Sequence, residues 1–351
     1  MSESAKVVPL AKGKRRRRER PDADEEDLRA RVRDLEDEVE RLREGTEGPQ
    51  DAQPATGEGP LVALARLLQG GRDGITWEAL ARAWSALYFS WHSEDVDEFG
   101  YDPKFTRTVM PLFEFLYTMW WRVETAGVEN VPGTGPALIV ANHSGVLPWD
   151  SVMINLAVRH EHPARRETRM LALDMFALLP FLAPALAQSG AVRANPENAE
   201  RLLRKGELVG VFPEGVKGVG KPFKDRYRLA RFGRGGFVRL ALRTGAPIVP
   251  CAVVGAEEVH PKLASVNWLG RPLGLPYLPI TPTFPLLGPL GFVPLPTKWS
   301  IDFADPIPMD AHGPEAAEDP ILVNRLSEQV RSTIQRMVDS RLARRRSIWF
   351  G

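Results

Sequence analysis

His143 and Asp150 are the two residues of this sequence whose types and spacing best fit proton transfer. They lie in the stretch Leu138-Ile139-Val140-Ala141-Asn142-His143-Ser144-Gly145-Val146-Leu147-Pro148-Trp149-Asp150. An imidazole titrates near neutral pH and can take the proton of an attacking hydroxyl. A carboxylate beside it fixes the ring's tautomer and stabilises the imidazolium that forms. That chemistry is general-base activation of an alcohol or of water. The same two residues also make an ordinary structural hydrogen-bonded pair, so their surroundings must decide.

The elements needed to position the pair are visible on either side of it. Leu138 to Ala141 is a short apolar run of strand character that delivers His143 into a Ser-Gly turn. Pro148 then opens a helix continuing through Ser151-Val152-Met153-Ile154-Asn155-Leu156-Ala157-Val158. Proline is tolerated at the first helical position because its missing N–H would have no partner there. Asp150 falls in the first turn, where free N–H groups and the helix dipole favour negative charge. A second strand, Glu207-Leu208-Val209-Gly210-Val211-Phe212, runs into Pro213-Glu214-Gly215-Val216-Lys217-Gly218-Val219-Gly220-Lys221. In layered α/β sheets, ligands sit beyond the carboxyl ends of the strands, and His143 and Glu214 both lie just past such ends.

With Gly190-Ala191-Val192-Arg193 between these two motifs, and the strand Ala246-Pro247-Ile248-Val249-Pro250-Cys251-Ala252-Val253 after them, the chain resembles the glycerolipid acyltransferase family. The resemblance runs over about Val128 to Pro308. The family's common pattern has four residues between the His and the Asp, whereas six separate His143 from Asp150 here. The Asn-His-Ser-Gly and Pro-x-Asp elements look like the monoacylglycerol/diacylglycerol acyltransferase-like branch.

The resemblance implies transfer of an acyl group from a thioester, acyl-CoA or acyl carrier protein, to a hydroxyl of a glycerolipid or lysophospholipid. It also implies that Arg193 and Lys217 bind acceptor phosphate. Lys217 stands where many relatives carry Arg, and a lysine is a point charge without a bidentate fork. Glu214 either hydrogen-bonds an acceptor hydroxyl or fixes its loop. His143 is expected as the base and Asp150 as its orienter, with no covalent intermediate. Backbone N–H groups around Ser144-Gly145 or at Gly215 are candidate oxyanion donors. Ser144 is assigned to the turn, because no Gly-x-Ser-x-Gly elbow surrounds it. The segment Arg228 to Gly236, opening a helix with arginines and glycines, is a further candidate anion site.

Composition sets limits. At 351 residues and 43% hydrophobic, the chain can bury a large core. Its net charge of +1 gives no overall field to steer a polyanion, so no nucleic-acid partner is expected. The single Cys251 excludes an intrachain disulfide and any cysteine zinc site. The scattered histidines lack helical metal spacing, so no metal or cofactor beyond the donor thioester is expected. The polar N-terminus shows no signal peptide, and the best spanning candidate, Leu171 to Ala187, is broken by Asp174, Pro180 and Pro184. The expected location is therefore the cytoplasmic face of a membrane, peripherally bound.

Along the chain, residues 1–60 read as a basic then acidic tail, a short heptad helix and a linker. Leu28, Val32, Leu35, Val39 and Leu42 form a seam of only about two heptads, which reads either as a charged, partly formed helix or as a weak homodimer contact. Residues 61–122 read as a helical subdomain partly covering the sheet, whose Trp77, Trp84, Trp91, Trp120 and Trp121 suit either its core or a lipid interface. Its last helix follows Pro103 with Val109, Leu112, Phe113, Leu116, Tyr117, Trp120 and Trp121 on one broad face.

Residues 123–310 alternate strands with helices, which implies an α/β layered fold with a largely parallel sheet flanked by helices. Strands are expected near Ala137–Ala141, Arg169–Ala172, Leu208–Phe212, Ile248–Val254 and Lys298–Phe303. Helices are expected near Pro148–Arg159, Pro196–Lys205 and Gly233–Thr244. A Pro-rich apolar stretch between Leu263 and Trp299 suits a buried irregular connection, a lip against a bilayer or the lining of an acyl channel. Residues 311–351 form an amphipathic helix through Leu322, Leu326, Val330, Ile334, Met337 and Val338, closed by a basic and aromatic end. A thioesterase or lipid hydrolase, and a catalytically idle lipid-binding protein, are the competing readings.

Overall fold

The computed structural model describes residues 95–351, apart from 145–146, 173–181, 220 and 267–277. The charged tail, the heptads from Leu28 to Leu42, the helices expected before residue 95 with Trp77, Trp84 and Trp91, and Gly145 lie outside the described residues.

Helix α1 (Pro103–Phe115) starts where Asp102 accepts hydrogen bonds from the N–H groups of Lys104 and Phe105, with proline at the first position. It ends in one wider turn, Leu116–Trp120. Then follow β1 (Glu124–Ala126), β2 (Ala137–Ala141), α2 (Trp149–Glu161), β3 (Thr168–Ala172), α3 (Leu182–Gln188), β4 (Val192–Arg193) and α4 (Pro196–Arg204). The second half comprises β5 (Leu208–Val211), the single turn α5 (Val216–Val219), α6 (Gly236–Thr244), β6 (Ile248–Val254), β7 (Ala264–Val266), β8 (Leu278–Ile280), β9 (Ser300–Phe303) and α7 (Pro320–Arg344).

The main sheet has the order β1-β9-β6-β2-β5-β3-β4, and every pairing is parallel except β6 with β9. The expected α/β architecture is thus present, and most strand boundaries fall within a residue or two of those read from the sequence. Strand β2 is central and wholly buried, paired with β5 on one side and β6 on the other. Its side chains alternate between two cores. Leu138 and Val140 face α6 and α7, while Ala137, Ile139 and Ala141 face α1 and α2. A strand buried on both faces reads as a continuous apolar run, which is why it was visible without alternation.

Three features correct or sharpen the expectation. The helix after the histidine begins at Trp149, with Pro148 as the preceding cap residue rather than the first helical one. Leu112 is not on the buried face of α1 but is exposed, together with Phe115 and Met119; Leu116, Tyr117 and Trp121 are the buried positions. Trp121 is core rather than interface. It stacks on Trp299 at 4.7 Å and meets Trp149 edge-on at 5.5 Å, fixing the start of α2.

Helix α7 belongs to the same core as the sheet. Val323, Leu326, Val330, Ile334 and Val338 are buried, each contributing about 1.5–3 kcal/mol. Arg341 adds a bidentate pair to Asp302 at 2.7 Å. The basic end is partly turned inward: Arg345 Nη1 lies 2.6 Å from Glu258, and Arg345 Nη2 donates to the carbonyl of Lys298.

The root of the Pro-rich stretch is held by consecutive residues after α1. Trp120 Nε1, Trp121 Nε1 and Arg122 Nη2 donate to the carbonyls of Pro294, Leu295 and Pro296 at 3.0, 3.0 and 3.1 Å.

Candidate active site

Asn142, the residue after β2, replaces a ladder step with its side chain. Its amide accepts from Val253 N at 2.8 Å and donates to Val253 O at 2.9 Å. The strand end is thereby clamped to β6, and the next residue, His143, leaves it in a fixed direction. His143 is buried, and its ring stacks on Phe212 at 4.3 Å and 17°.

Asp150, fully buried in the first turn of α2, accepts from His143 Nδ1 at 2.7 Å and from Ser144 N at 2.9 Å on one oxygen. Its other oxygen accepts from Ser151 N at 2.9 Å. The carboxylate is acceptor-only, so Nδ1 carries the proton of the neutral ring and Nε2 is the basic nitrogen. Nε2 has no hydrogen-bond partner among the described residues. The six intervening residues therefore make a longer loop without separating the pair.

Glu214 occupies the second of its two expected places, that of a loop brace. One carboxylate oxygen accepts from His143 N at 3.0 Å and the other from Ala230 N at 2.7 Å. Lys221 Nζ stands 3.4 Å from Glu214 and 3.1 Å from Glu257, and donates to Arg228 O at 3.2 Å. Lys221 is thus an internal counter-ion tying the loops after β5 and β6 together. Burial pushes the Glu257 carboxyl up, with the lysine pulling against that shift.

Two expected oxyanion donors are already engaged. Ser144 N donates to Asp150, and Gly215 N donates to Phe212 O at 3.0 Å, closing the Pro-Glu-Gly turn. Gly215 takes φ of +55°, which accounts for glycine at that turn. Ser144 Oγ is buried without a hydrogen-bond partner, while Ser151, which the sequence did not single out, lines the pocket beside the histidine. Arg193 and Lys217 are exposed and stand outside the pocket wall, although Ala191 and Ala194, on either side of the two-residue strand that ends in Arg193, both line it. Among the described residues, no cluster of His, Cys, Asp or Glu could hold a metal ion.

Gly218 was also missed. A Cβ there would stand 2.9 Å from the Cβ atoms of both His143 and Glu214. Neither is a flexible side-chain end, so the α5 turn or the histidine must move. Gly218→Ala is therefore expected to lower the catalytic rate by roughly tenfold, since a small misplacement of a positioned base is costly. Steady-state kinetics beside a thermal melt checks this, and unchanged kinetics would show that the loop adjusts freely.

The pocket at His143 encloses about 550 Å³ including its mouth, lined by Pro148, Met170, Leu171, Leu186, Val211 and Phe212 among others. A second apolar pocket of about 540 Å³ shares Ser151, Met170, Leu186 and Ala191 with it and extends to Val109, Met110 and Phe113 on α1. Met170 reaches this position because β5 carries Gly210 beside it, where a Cβ would lie 2.1 Å from the Met170 sulfur. The pair of pockets forms an apolar groove with a single base at one end.

A family model described as Acyltransferase matches residues 122–254. An uncharacterized protein of Mycobacterium tuberculosis is 54% identical over 257 residues, which cover 73% of this chain and 72% of that protein. The human "DGAT1/2-independent enzyme synthesizing storage lipids" is 25% identical over 236 residues, 66% of either chain. The mouse 1-acyl-sn-glycerol-3-phosphate acyltransferase alpha is 29% identical over 167 residues, 45% of this chain and 54% of that protein. Among solved structures, the 1-acyl-sn-glycerophosphate (LPA) acyltransferase PlsC of Thermotoga maritima aligns over 82% of this chain and 89% of that chain, with a TM-score of 0.46 and 17% identity.

Proposed function

The chain belongs to the acyltransferase family, and we propose that it moves a fatty acyl group from a thioester donor to a hydroxyl of a glycerol-based lipid. The observation that carries this reading is a histidine whose Nδ1 is tied to a buried carboxylate and whose ring lines a long apolar pocket. The names of the human and mouse relatives support a glycerolipid acceptor.

In this mechanism, the acceptor hydroxyl donates its proton to His143 Nε2 as its oxygen attacks the thioester carbonyl carbon. The tetrahedral intermediate collapses with cleavage of the carbon–sulfur bond, and the departing thiolate takes the proton from the imidazolium. Asp150 stabilises the imidazolium between the two transfers. Among the described residues lining the pocket at His143, Ser151 alone carries a hydroxyl or thiol. Ser151 Oγ is hydrogen-bonded to Pro148 O at 2.7 Å, and Cys251 is wholly buried in β6. This supports direct transfer without an acyl-enzyme.

The acyl chain occupies the groove toward α1, and Arg193 and Lys217 meet the acceptor's headgroup from the flanks. Filling the far end should then shorten the chain that fits. Val152 lines the second pocket and not the one at His143, so Val152→Trp is expected to shift selectivity toward shorter acyl donors by about tenfold, measured as kcat/KM over a donor series. Unaltered selectivity would place the chain elsewhere. Membrane binding is part of the same proposal and is peripheral; among the described residues no helix is long and apolar enough to cross a bilayer.

The decisive experiment incubates the purified protein with labelled acyl-CoA and, separately, lysophosphatidate, monoacylglycerol and diacylglycerol. Label entering a lipid only when its acceptor is present supports transfer. Equal release of free fatty acid without acceptor would replace the proposal with a thioesterase. An unconsumed donor would leave a lipid-binding protein.

A further inference from the structure

Away from the apolar groove, a second concavity opens at the carboxyl end of β6. It encloses about 860 Å³ including its mouth and is lined by Lys224, Arg226, Arg228, Arg345 and Arg346, with Tyr227, Leu342 and Ile348 as its less polar walls. Among the described residues the only carboxylate lining it is Glu258, buried and held 2.6 Å from Arg345 Nη1 and 4.0 Å from Arg226 Nε. Glu258 therefore anchors two of the guanidinium groups. Lys224, Arg228 and Arg346 are exposed, with no carboxylate at ion-pair distance among the described residues. Arg226 Nε is a buried donor without a hydrogen-bond acceptor. Such a surplus of positive charge in a concave site is built for a multiply charged anion.

The bay is mechanically continuous with the catalytic base. Arg228 O accepts from Lys221, Lys221 pairs with Glu214, and Glu214 accepts the backbone N–H of His143. Tyr227 Oη accepts from Gly255 N at 3.0 Å, immediately after β6, which is the neighbour of β2. The apolar groove, lined by Met170, Ala172 and Val211, opens on the β3 and β5 side of His143. The base thus sits at the sheet's carboxyl edge, with an apolar receptacle on one side and a cationic one on the other. An acyl thioester carried on a phosphorylated nucleotide has matching parts in that order: chain, thioester, linker, phosphates.

We propose that this bay binds the phosphate groups of the nucleotide portion of a coenzyme A donor, an assignment that rests on the acyl-transfer reading above. Lys224, Arg228 and Arg346 supply the direct contacts, and Arg226 offers its unused N–H. Acceptor phosphate is left to the opposite flank.

The test uses the full chain with Arg228→Ala and Arg346→Ala, both solvent-facing positions. KM is measured for an acyl-CoA and for the same acyl group on pantetheine, which has the thioester and linker without the nucleotide. Each substitution is expected to raise KM for acyl-CoA by roughly tenfold and KM for acyl-pantetheine by less than about twofold. Calorimetric titration of free coenzyme A against free pantetheine gives a readout independent of turnover, and only coenzyme A binding should weaken. Equal effects on both donors, no effect on either, or weakened binding to anionic vesicles with coenzyme A binding intact would overturn the assignment. The last of these would give the bay to lipid headgroups. If neither donor turns over while coenzyme A still binds through Arg228 and Arg346, the bay stands and the acyl-transfer reading falls.

Discussion

Replacing His143 with alanine is expected to lower acyl transfer by about 10²- to 10⁴-fold, the usual contribution of a positioned general base. Nε2 is the basic nitrogen, and among the described residues it has no hydrogen-bond partner and no second base lines the pocket beside it. The chain should still fold, because Asp150 keeps the N–H groups of Ser144 and Ser151 and the backbone N–H at position 143 still reaches Glu214.

Asp150→Asn separates the orienting role from the basic one. An asparagine has one acceptor oxygen where the carboxylate receives donors on both. Its NH₂ must therefore face either Ser151 N–H or the Ser144 and His143 donors. Rotation cannot satisfy both sides, so the ring loses its tautomer or the loop shifts. A rate loss approaching that of His143→Ala is expected, with a lower thermal midpoint than the histidine variant, since an unsatisfied buried donor costs about 1–3 kcal/mol. Single-turnover rates beside thermal melts check both. Near-parental turnover in the histidine variant would remove the base from the mechanism.

The pair itself was legible because local sequence does most of the positioning: an apolar strand, a turn and a helix start, all within thirteen residues of Leu138. What braces the pair was not. Gly218, Lys221 and Asn142 matter through contacts with residues far along the chain, and a glycine in a loop carries no sign of what approaches it. The two backbone N–H groups offered as oxyanion donors were reasonable by position, but each is consumed by a nearer acceptor, Asp150 or Phe212. Helix α1 shows the limit of periodicity. It is apolar around most of its circumference, so spacing alone could not separate Leu116, Tyr117 and Trp121, which bury, from Leu112, Phe115 and Met119, which do not. For the tryptophans the sequence left core and interface open, and Trp121 proves to be core, stacked on Trp299. Arg228 was legible as the start of a candidate anion site, but its union with Arg345 and Arg346 in one bay was not, because the two segments lie about a hundred residues apart in sequence.

Those exposed residues of α1 bear on the membrane. Leu112 and Met119 are 59% and 67% exposed, and on the Pro-rich segment Leu286 and Leu290 reach 84% and 70%. The two groups are mechanically joined. Phe115 packs on Trp120 at 6.2 Å between ring centres, and Trp120 donates to Pro294 at the segment's root. Thr281 and Thr283 brace the loop from within, through bonds from Phe284 N and to Gly291 O. A braced loop that presents leucines to water gains by inserting them in lipid, each contributing about 1.5–3 kcal/mol if fully buried there. Changing Leu286 and Leu290 together to Asp should forfeit roughly 3–6 kcal/mol, a drop of about 10²- to 10⁴-fold in vesicle partition. Flotation with phosphatidylglycerol-containing vesicles measures this, and Ile321→Asp, at a 79% exposed position on α7, is the matched control. Turnover of a soluble short-chain acceptor should persist in the double variant while turnover of a vesicle-borne acceptor falls. If the double variant floats as well as the parent and the control, the leucines are not the docking surface.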